Sequence, residues 1–359
     1  MNDASLPGLF LFCRSGYEKD CAAEIQTIAN EQAISGYCKT QPNSGHVLFC
    51  TLNSEDAKTL YSSIDFSQLI FARQWFICFA QLSDLPEKDR VTPIVDSIET
   101  ISKSLELKFN KVIVQQANME SENNLQRFIS AFTRPLLKSL QEHEVLTNEK
   151  DTNETNLLEL CFTNNDSVYI GLLPKGNSWP GGIPRLKLPG SAPSRSYLKL
   201  EEAFIRFIGN KRDTYLKPAM TATDLGAAPG GWSWLLVQNH IKVTSVDNGP
   251  MNDNLLDSGL CTHVTEDAFA YRPDGSCDWL VCDIVDKPMR VLALIHQWIE
   301  HKACDQAIFN LKLPMQQRYK FIQENVLPWL NDLIQNQMIN RWKAKHLYHD
   351  RHEITIMIE

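Results

Sequence analysis

The stretch TATDLGAAPGGWSWLL (221–236) constrains the fold more than any other part of the chain. A run of β-forming residues meets a turn holding Gly226, Gly230 and Gly231, and Pro229 opens a helical run. Glycine lets a chain turn tightly and approach a ligand with its backbone, proline suits a first helical turn, and the free N–H groups of a helix start attract carboxylate or phosphate. Strand, Gly-rich turn and helix in that order predict an α/β domain built around a nucleotide-like cofactor. Sixteen residues beyond Gly231, Asp247 ends the run KVTSVD, where an acidic side chain can accept hydrogen bonds from ribose hydroxyls. Asp267 ends HVTED, at the next expected strand tip. The G-x-G-x-x-G spacing of dinucleotide folds is absent, although the physics of the turn does not by itself separate a dinucleotide from S-adenosylmethionine.

The flanking pattern fits this reading. TATDLG, KVTSVD, HVTED, DWLVCD and AIFNLKL are short β-forming runs, and KPMRVLALIHQWIEH between two of them has helical apolar spacing. Such alternation predicts a mostly parallel sheet covered on both faces, a Rossmann-like α/β fold. AKHLYHDRHEITIMIE reads as two strands joined by a polar turn, which gives the sheet an antiparallel edge. In the N-terminal half, strand-like FLFC, HVLFC, VIVQQ and VYIGLL alternate with helical segments, an α+β region that by itself names no activity. The Pro- and Gly-rich stretch 173–194 reads as the linker between the two parts.

The longest apolar runs, such as GLFLFC and HVLFC, are far shorter than the roughly 18–20 residues of a membrane span, and the first twenty residues lack a basic segment ahead of an apolar one. A cytoplasmic protein without membrane association is expected. The ten cysteines contain no CxxC pair and lie mostly in apolar segments, so reduced core thiols are expected and neither a disulfide framework nor a metal site is. The net charge of −8 conceals a gradient: residues 1–185 carry 16 basic and 23 acidic side chains, residues 186–359 carry 19 and 20. Within 185–217, eight basic residues (Arg185, Lys187, Arg195, Lys199, Arg206, Lys211, Arg212 and Lys217) face three acidic ones, a density that suits either a solvated helix face or a polyanion.

A second cluster sets charge where a sheet should be apolar. Alternation in AIFNLKLP puts Asn310 and Lys312 on one face and Phe309, Leu311 and Leu313 on the other, with Lys312 at the carboxyl end of an expected central strand. A lysine there is costly unless paired. Asp283 ends WLVCD, Glu353 lies in HDRHEITIMIE and Lys199 lies in PSRSYLKLEEAF, all on elements whose tips converge at the cofactor mouth.

PSRSYLKLEEAF, DLGAAPGGW, SVDNGPM, VCDIVDKP, FNLKLPM and LYHDRHEITI together resemble the ribosomal RNA large subunit methyltransferase M (RlmM) family, within the 2′-O-ribose methyltransferases related to FtsJ/RrmJ. The resemblance covers about 180–359 and is weaker before that. It implies a ferredoxin-like part over 1–60, a THUMP-like RNA-binding domain over 61–172, a linker over 173–194 and a class I methyltransferase domain over 195–359. It implies S-adenosylmethionine held by Ser196, Ala228, Pro229, Gly230, Gly231, Asp247, Asp267 and Asp283, and a Lys-Asp-Lys-Glu tetrad at Lys199, Asp283, Lys312 and Glu353. It further implies methylation of one cytidine of 23S rRNA before subunit assembly; a monomer is expected.

On this reading a neighbouring base takes the proton of a ribose hydroxyl as the C–O bond forms, and Lys312 is the candidate. Only its neutral form can do so; burial and the like charge of Lys199 favour that form, while Asp283 and Glu353 oppose it. A base-modifying RNA methyltransferase, a non-catalytic RNA-binding assembly factor on the same fold, and a dinucleotide-dependent oxidoreductase are the competing readings.

Overall fold

The computed structural model describes residues 8–120, 124–146, 156–173 and 179–359. The chain forms two compact units that divide between Ile183 and Pro184.

Among the described residues the first unit holds one seven-stranded sheet: β1 (Gly8–Phe12), β2 (Gly36–Thr40), β3 (His46–Thr51), β4 (Gln74–Leu82), β5 (Lys111–Gln116), β6 (Leu157–Asn164) and β7 (Ser167–Leu173), in the order β2-β3-β1-β4-β7-β6-β5. Neighbours are antiparallel except the β5–β6 pair. The helix Asn124–Glu142 turns Ile129, Phe132, Leu136 and Leu140 into the core, where Phe132 meets Phe162 of β6 edge to face at 5.3 Å. The sequence pattern did not reveal β4 (QWFICFAQL) or β6 (LLELCFTN), which lie inside the sheet. Both are buried on two faces and so read as near-unbroken apolar runs, without the alternation that marks a half-exposed strand. The division expected at residues 60/61 falls within the helix Ser54–Ser63, and the one sheet draws strands from both sides of it. The described end of the expected linker, 179–183, packs with this unit: the Gly181 N–H donates to Gln115 Oε1 at 2.6 Å.

The second unit is the Rossmann-like α/β fold. Its strands are β8 (Thr221–Leu225), β9 (Lys242–Val246), β10 (Cys261–Val264), β11 (Cys277–Cys282), β12 (Cys304–Lys312), β13 (Trp342–Lys345) and β14 (Glu353–Ile358), ordered β10-β9-β8-β11-β12-β14-β13. β8 to β12 run parallel; β14 is antiparallel to both β12 and β13. β14 is thus interior and β13 forms the edge, so the last two strands give the sheet the antiparallel edge that was expected. Five apolar or small residues of EITIMI are buried, as an interior position requires. Strand order reverses direction between β8 and β11, and the carboxyl ends there open a crevice, the usual ligand position in open α/β sheets.

Candidate active site

The Gly-rich turn follows β8 and leads into the helix Gly231–Gln238. Gly230 has φ +109°, a left-handed conformation that side chains resist, and a Cβ there would sit 2.5 Å from Leu255 Cδ2. Gly231 is needed for closeness: its Cβ would fall 2.3 Å from Ser196 Oγ and 2.4 Å from Ser194 Oγ. Ser196 is thus pressed against the turn, with its carbonyl accepting the Trp232 indole N–H at 2.9 Å. The Ala228–Pro229 peptide is cis. Asp247, immediately after β9, accepts the Ala228 N–H through Oδ2 at 3.0 Å and the Gly249 N–H through Oδ1 at 2.7 Å. Asp267 does not sit at a strand tip as expected. β10 ends at Val264, and Asp267 caps the following turn, accepting the Phe269 N–H at 3.0 Å.

Beside the turn, Lys199, Asp283, Lys312 and Glu353 line one cleft of about 490 Å³ together with Ser196. Lys199, on the helix Tyr197–Phe207, reaches Asp283 Oδ1 and Oδ2 at 3.1 and 3.2 Å and Glu353 Oε1 at 2.8 Å. Burial pulls the Lys199 ammonium towards neutrality, but Asp283 and Glu353 outweigh it and hold its pKa above the ordinary value. Burial pushes the Asp283 carboxyl up despite Lys199. For Glu353, burial also acts upward, yet the Lys199 pair and backbone N–H donors leave it below the carboxylate norm.

Lys312 departs from expectation. It is exposed at the end of β12, with no carboxylate within ion-pair distance among the described residues. It is the last residue of β12 paired in the sheet, opposite Glu353, and the two carboxylates grip Lys199 instead. Several supporting groups also went unassigned in the sequence. Asn310 donates to Asp283 Oδ1 at 2.7 Å, and buried Glu202 accepts the N–H groups of Tyr348 and His349 at 3.0 Å, anchoring the loop before β14. Asp224, in β8, is buried and receives the Ser233 hydroxyl at 2.6 Å; burial raises its pKa to about 7. The legible signal for Asp224 and Asn310 was a polar residue on the buried face of an apolar strand.

Of the basic stretch, Arg212 is committed to a two-pronged pair with Glu201 at 2.7 and 2.9 Å, and Arg195 stands exposed at the cleft.

Three family descriptions cover the chain: the RlmM ferredoxin-like domain over 6–76, the N-terminal region of ribosomal RNA large subunit methyltransferase M over 89–173 and the FtsJ-like methyltransferase over 192–321. Ribosomal RNA large subunit methyltransferase M of Cellvibrio japonicus is 47% identical over 350 residues, covering 97% of either chain. The protein of that name from Shewanella halifaxensis is 42% identical, over 97% of this chain and 96% of that one. The chain belongs to the RlmM family. The Cronobacter sakazakii relative, 41% identical over 98% of this chain, matches to the same extent.

RlmM proteins carry an FtsJ-like methyltransferase domain, and S-adenosylmethionine is the cofactor. The turn fits it: Gly230 and Gly231 let the backbone pack tightly against Leu255, Ser194 and Ser196, the acidic Asp247 stands at the β9 tip, and the buried Asp224 Oδ1 has no hydrogen-bond partner among the described residues. Bound there, the group supplies an electrophilic methyl carbon on a sulfonium.

Proposed function

We propose that the protein methylates the ribose 2′-oxygen of a cytidine in 23S rRNA before the large subunit is assembled. The observation that carries the reading is the convergence of Lys199, Asp283, Lys312 and Glu353 on one cleft next to the glycine turn. Two lysines and two carboxylates suit a sugar hydroxyl, which must lose a proton as it attacks; they offer no set of donors and acceptors aimed at a base edge. The relatives' name supports large-subunit rRNA as the substrate, and the cytidine and the timing follow the family resemblance.

The division of labour follows from the charges. Lys199, clamped by two carboxylates, stays cationic and keeps Asp283 and Glu353 in place. Lys312, left outside that clamp, takes the 2′-hydroxyl proton while the oxygen bonds to the methyl carbon and the carbon–sulfur bond breaks. Arg195 and Arg351 at the cleft wall are placed to meet the flanking phosphates. Cofactor-binding roles for Ser196, Ala228, Pro229, Gly230, Gly231 and Asp247 belong to this proposal, as do those of Asp283 and, more distantly, Asp267.

The test is incubation with labelled S-adenosylmethionine and either unmodified free 23S rRNA or assembled subunits, followed by nucleoside analysis. 2′-O-Methylcytidine from free rRNA alone is the expected result. A base-methylated product would overturn the reaction, equal labelling of assembled subunits the timing, and absence of product the enzymatic reading itself.

A further inference from the structure

Asp283 is held from behind by a buried string of hydrogen bonds. The Thr355 hydroxyl lies 2.7 Å from Asn310 Oδ1 and 3.2 and 3.0 Å from the two carboxyl oxygens of Asp350, and Asn310 Nδ2 donates to Asp283 Oδ1 at 2.7 Å. Asn310, Thr355 and Asp350 are each at most 3% exposed. The string is written into the register of β12 and β14. Lys312 faces Glu353, and two residues along, on the same side of the pleat, Asn310 faces Thr355. One pair therefore stands at the mouth of the cleft and the next supports it from inside the sheet.

Direction matters in this string. An asparagine amide has one accepting and one donating end, and only the donating end favours a charged carboxylate. Which end faces Asp283 is decided by what holds the other. A threonine hydroxyl has a single proton, so if it donates to Asn310 Oδ1, the contact with Asp350 is made by a proton on the Asp350 carboxyl. Burial pushes that carboxyl far above the ordinary aspartate range, and Asp350 also accepts the Leu347 N–H at 3.0 Å. Three polar side chains on a buried strand face cost packing and desolvation unless each is satisfied. Here each is used, and the string ends on a group already assigned to the reaction.

We propose that Asn310 and Thr355, backed by Asp350, are positioning residues for methyl transfer, fixing the orientation and charge of Asp283 against Lys199. This rests on the role given to Asp283 above. The charges that face Asp283 are Lys199 from its helix, Glu353 from β14, Lys312 from β12 and Asp224 from β8. Arg195, Arg351, His349 and His352 stand around the cleft. Losing the Asn310 donor removes a bond to the charged form, so Asp283 should take up its proton at higher pH.

The test compares full-length wild type with Thr355→Val, Thr355→Ser and Asn310→Ala, using S-adenosylmethionine and free 23S rRNA. Thr355→Val should lower kcat far more than it changes KM for S-adenosylmethionine, with some loss of melting temperature because Asn310 Oδ1 and Asp350 lose a buried partner. It should move the acid limb of the pH profile up by about one unit, the scale of one hydrogen bond to a charged group. Thr355→Ser, which keeps the hydroxyl, should restore both. Carbon-13 NMR titration of the aspartate carboxyls, with Asp283→Asn to assign the signal, should move by the same amount without any turnover. If Thr355→Val does not fold, Asn310→Ala carries the same test, since it leaves Thr355 and Asp350 bonded to each other. An unshifted limb and titration, or a Thr355→Ser variant as defective as Thr355→Val, would overturn the proposal. Should the wild type methylate a base, the proposed reaction falls, and the titration still decides whether the string governs Asp283.

Discussion

Glu353 stands opposite Lys312 in the antiparallel register of β12 and β14, yet its carboxylate lies 2.8 Å from Lys199 Nζ. The carboxylates of the tetrad therefore serve one lysine and leave the other for the substrate. The two lysines are not equivalent: Lys199 is part-buried and doubly paired, while Lys312 is exposed at the cleft.

Lys312→Met is expected to abolish methyl transfer while S-adenosylmethionine still binds. The loss should be at least roughly 10²–10⁴-fold in kcat, the range for a positioned general base. Lys312→Arg should fail too, because a guanidinium stays protonated and cannot accept the proton. Single-turnover assays beside calorimetry separate the two effects; normal turnover by either variant removes Lys312 from the base role.

Asp247→Ala should weaken S-adenosylmethionine binding by about 1–3 kcal/mol, the cost of lost hydrogen bonds at a charged group. The same carboxylate ties down the N–H groups of Ala228 and Gly249, so part of that loss is disorder of the turn. Asp247→Asn keeps one acceptor for those amides and is expected to lose less. Unchanged affinity in Asp247→Ala, read by titration calorimetry, contradicts the assignment.

Glu159 gives the first unit a pH-dependent stability. It is fully buried in β6, and burial pushes its carboxyl up to about 8, with the Gln115 amide opposing only in part. In the unfolded chain the same group ionises near pH 4.5. Unfolding therefore releases a proton between these values, so stability falls as pH rises, by up to ~1.4 kcal/mol per pH unit. Glu159→Gln should remove that slope, gaining on wild type in urea denaturation at pH 8 and not at pH 5. Parallel stability profiles for the two proteins would show that Glu159 does not titrate in this way.

What the sequence made legible follows the same physics. The strand–glycine turn–helix at 221–236 was readable because a turn with φ +109° at Gly230 and two serine hydroxyls against Gly231 admit few residue types. The charged cluster was readable because lysines and carboxylates at strand ends stand out against apolar runs. Its internal pairing was not: register fixes which residues face one another, but whether Glu353 reaches Lys312 or Lys199 depends on a helix that arrives from more than 80 residues away in the chain. Nor was β6 legible, since a strand buried on both faces shows no alternation, and its one charge, Glu159, is held inside by a hydrogen bond from Gln115 at 2.5 Å.

Residues 1–185 carry a net −7, and phosphate contacts need localised Lys and Arg. Among their basic residues, Lys103, Lys108, Lys111, Arg127, Arg134 and Lys138 are all exposed. They differ in placement. Lys103 is engaged by Glu99 at 2.6 Å, whereas Arg127, Arg134 and Lys138 share the helix Asn124–Glu142 at spacings of seven and four. At about 100° per residue those spacings put the three on one stripe, directly opposite the buried Ile129, Phe132, Leu136 and Leu140. Lys138 lies 3.6 Å from Glu142, an exposed pair worth little and readily exchanged for a phosphate. This stripe is the proposed RNA-docking face of the N-terminal unit. Replacing all three with Glu in the full-length protein should weaken 23S rRNA binding and flatten the dependence of log K on log salt by about two to three units, at roughly 0.7–0.9 for each phosphate no longer neutralised. S-Adenosylmethionine affinity should hold, because the substitutions lie in the other unit. Equal salt slopes for variant and wild type would mean that the stripe touches no phosphates and that RNA is held by other residues.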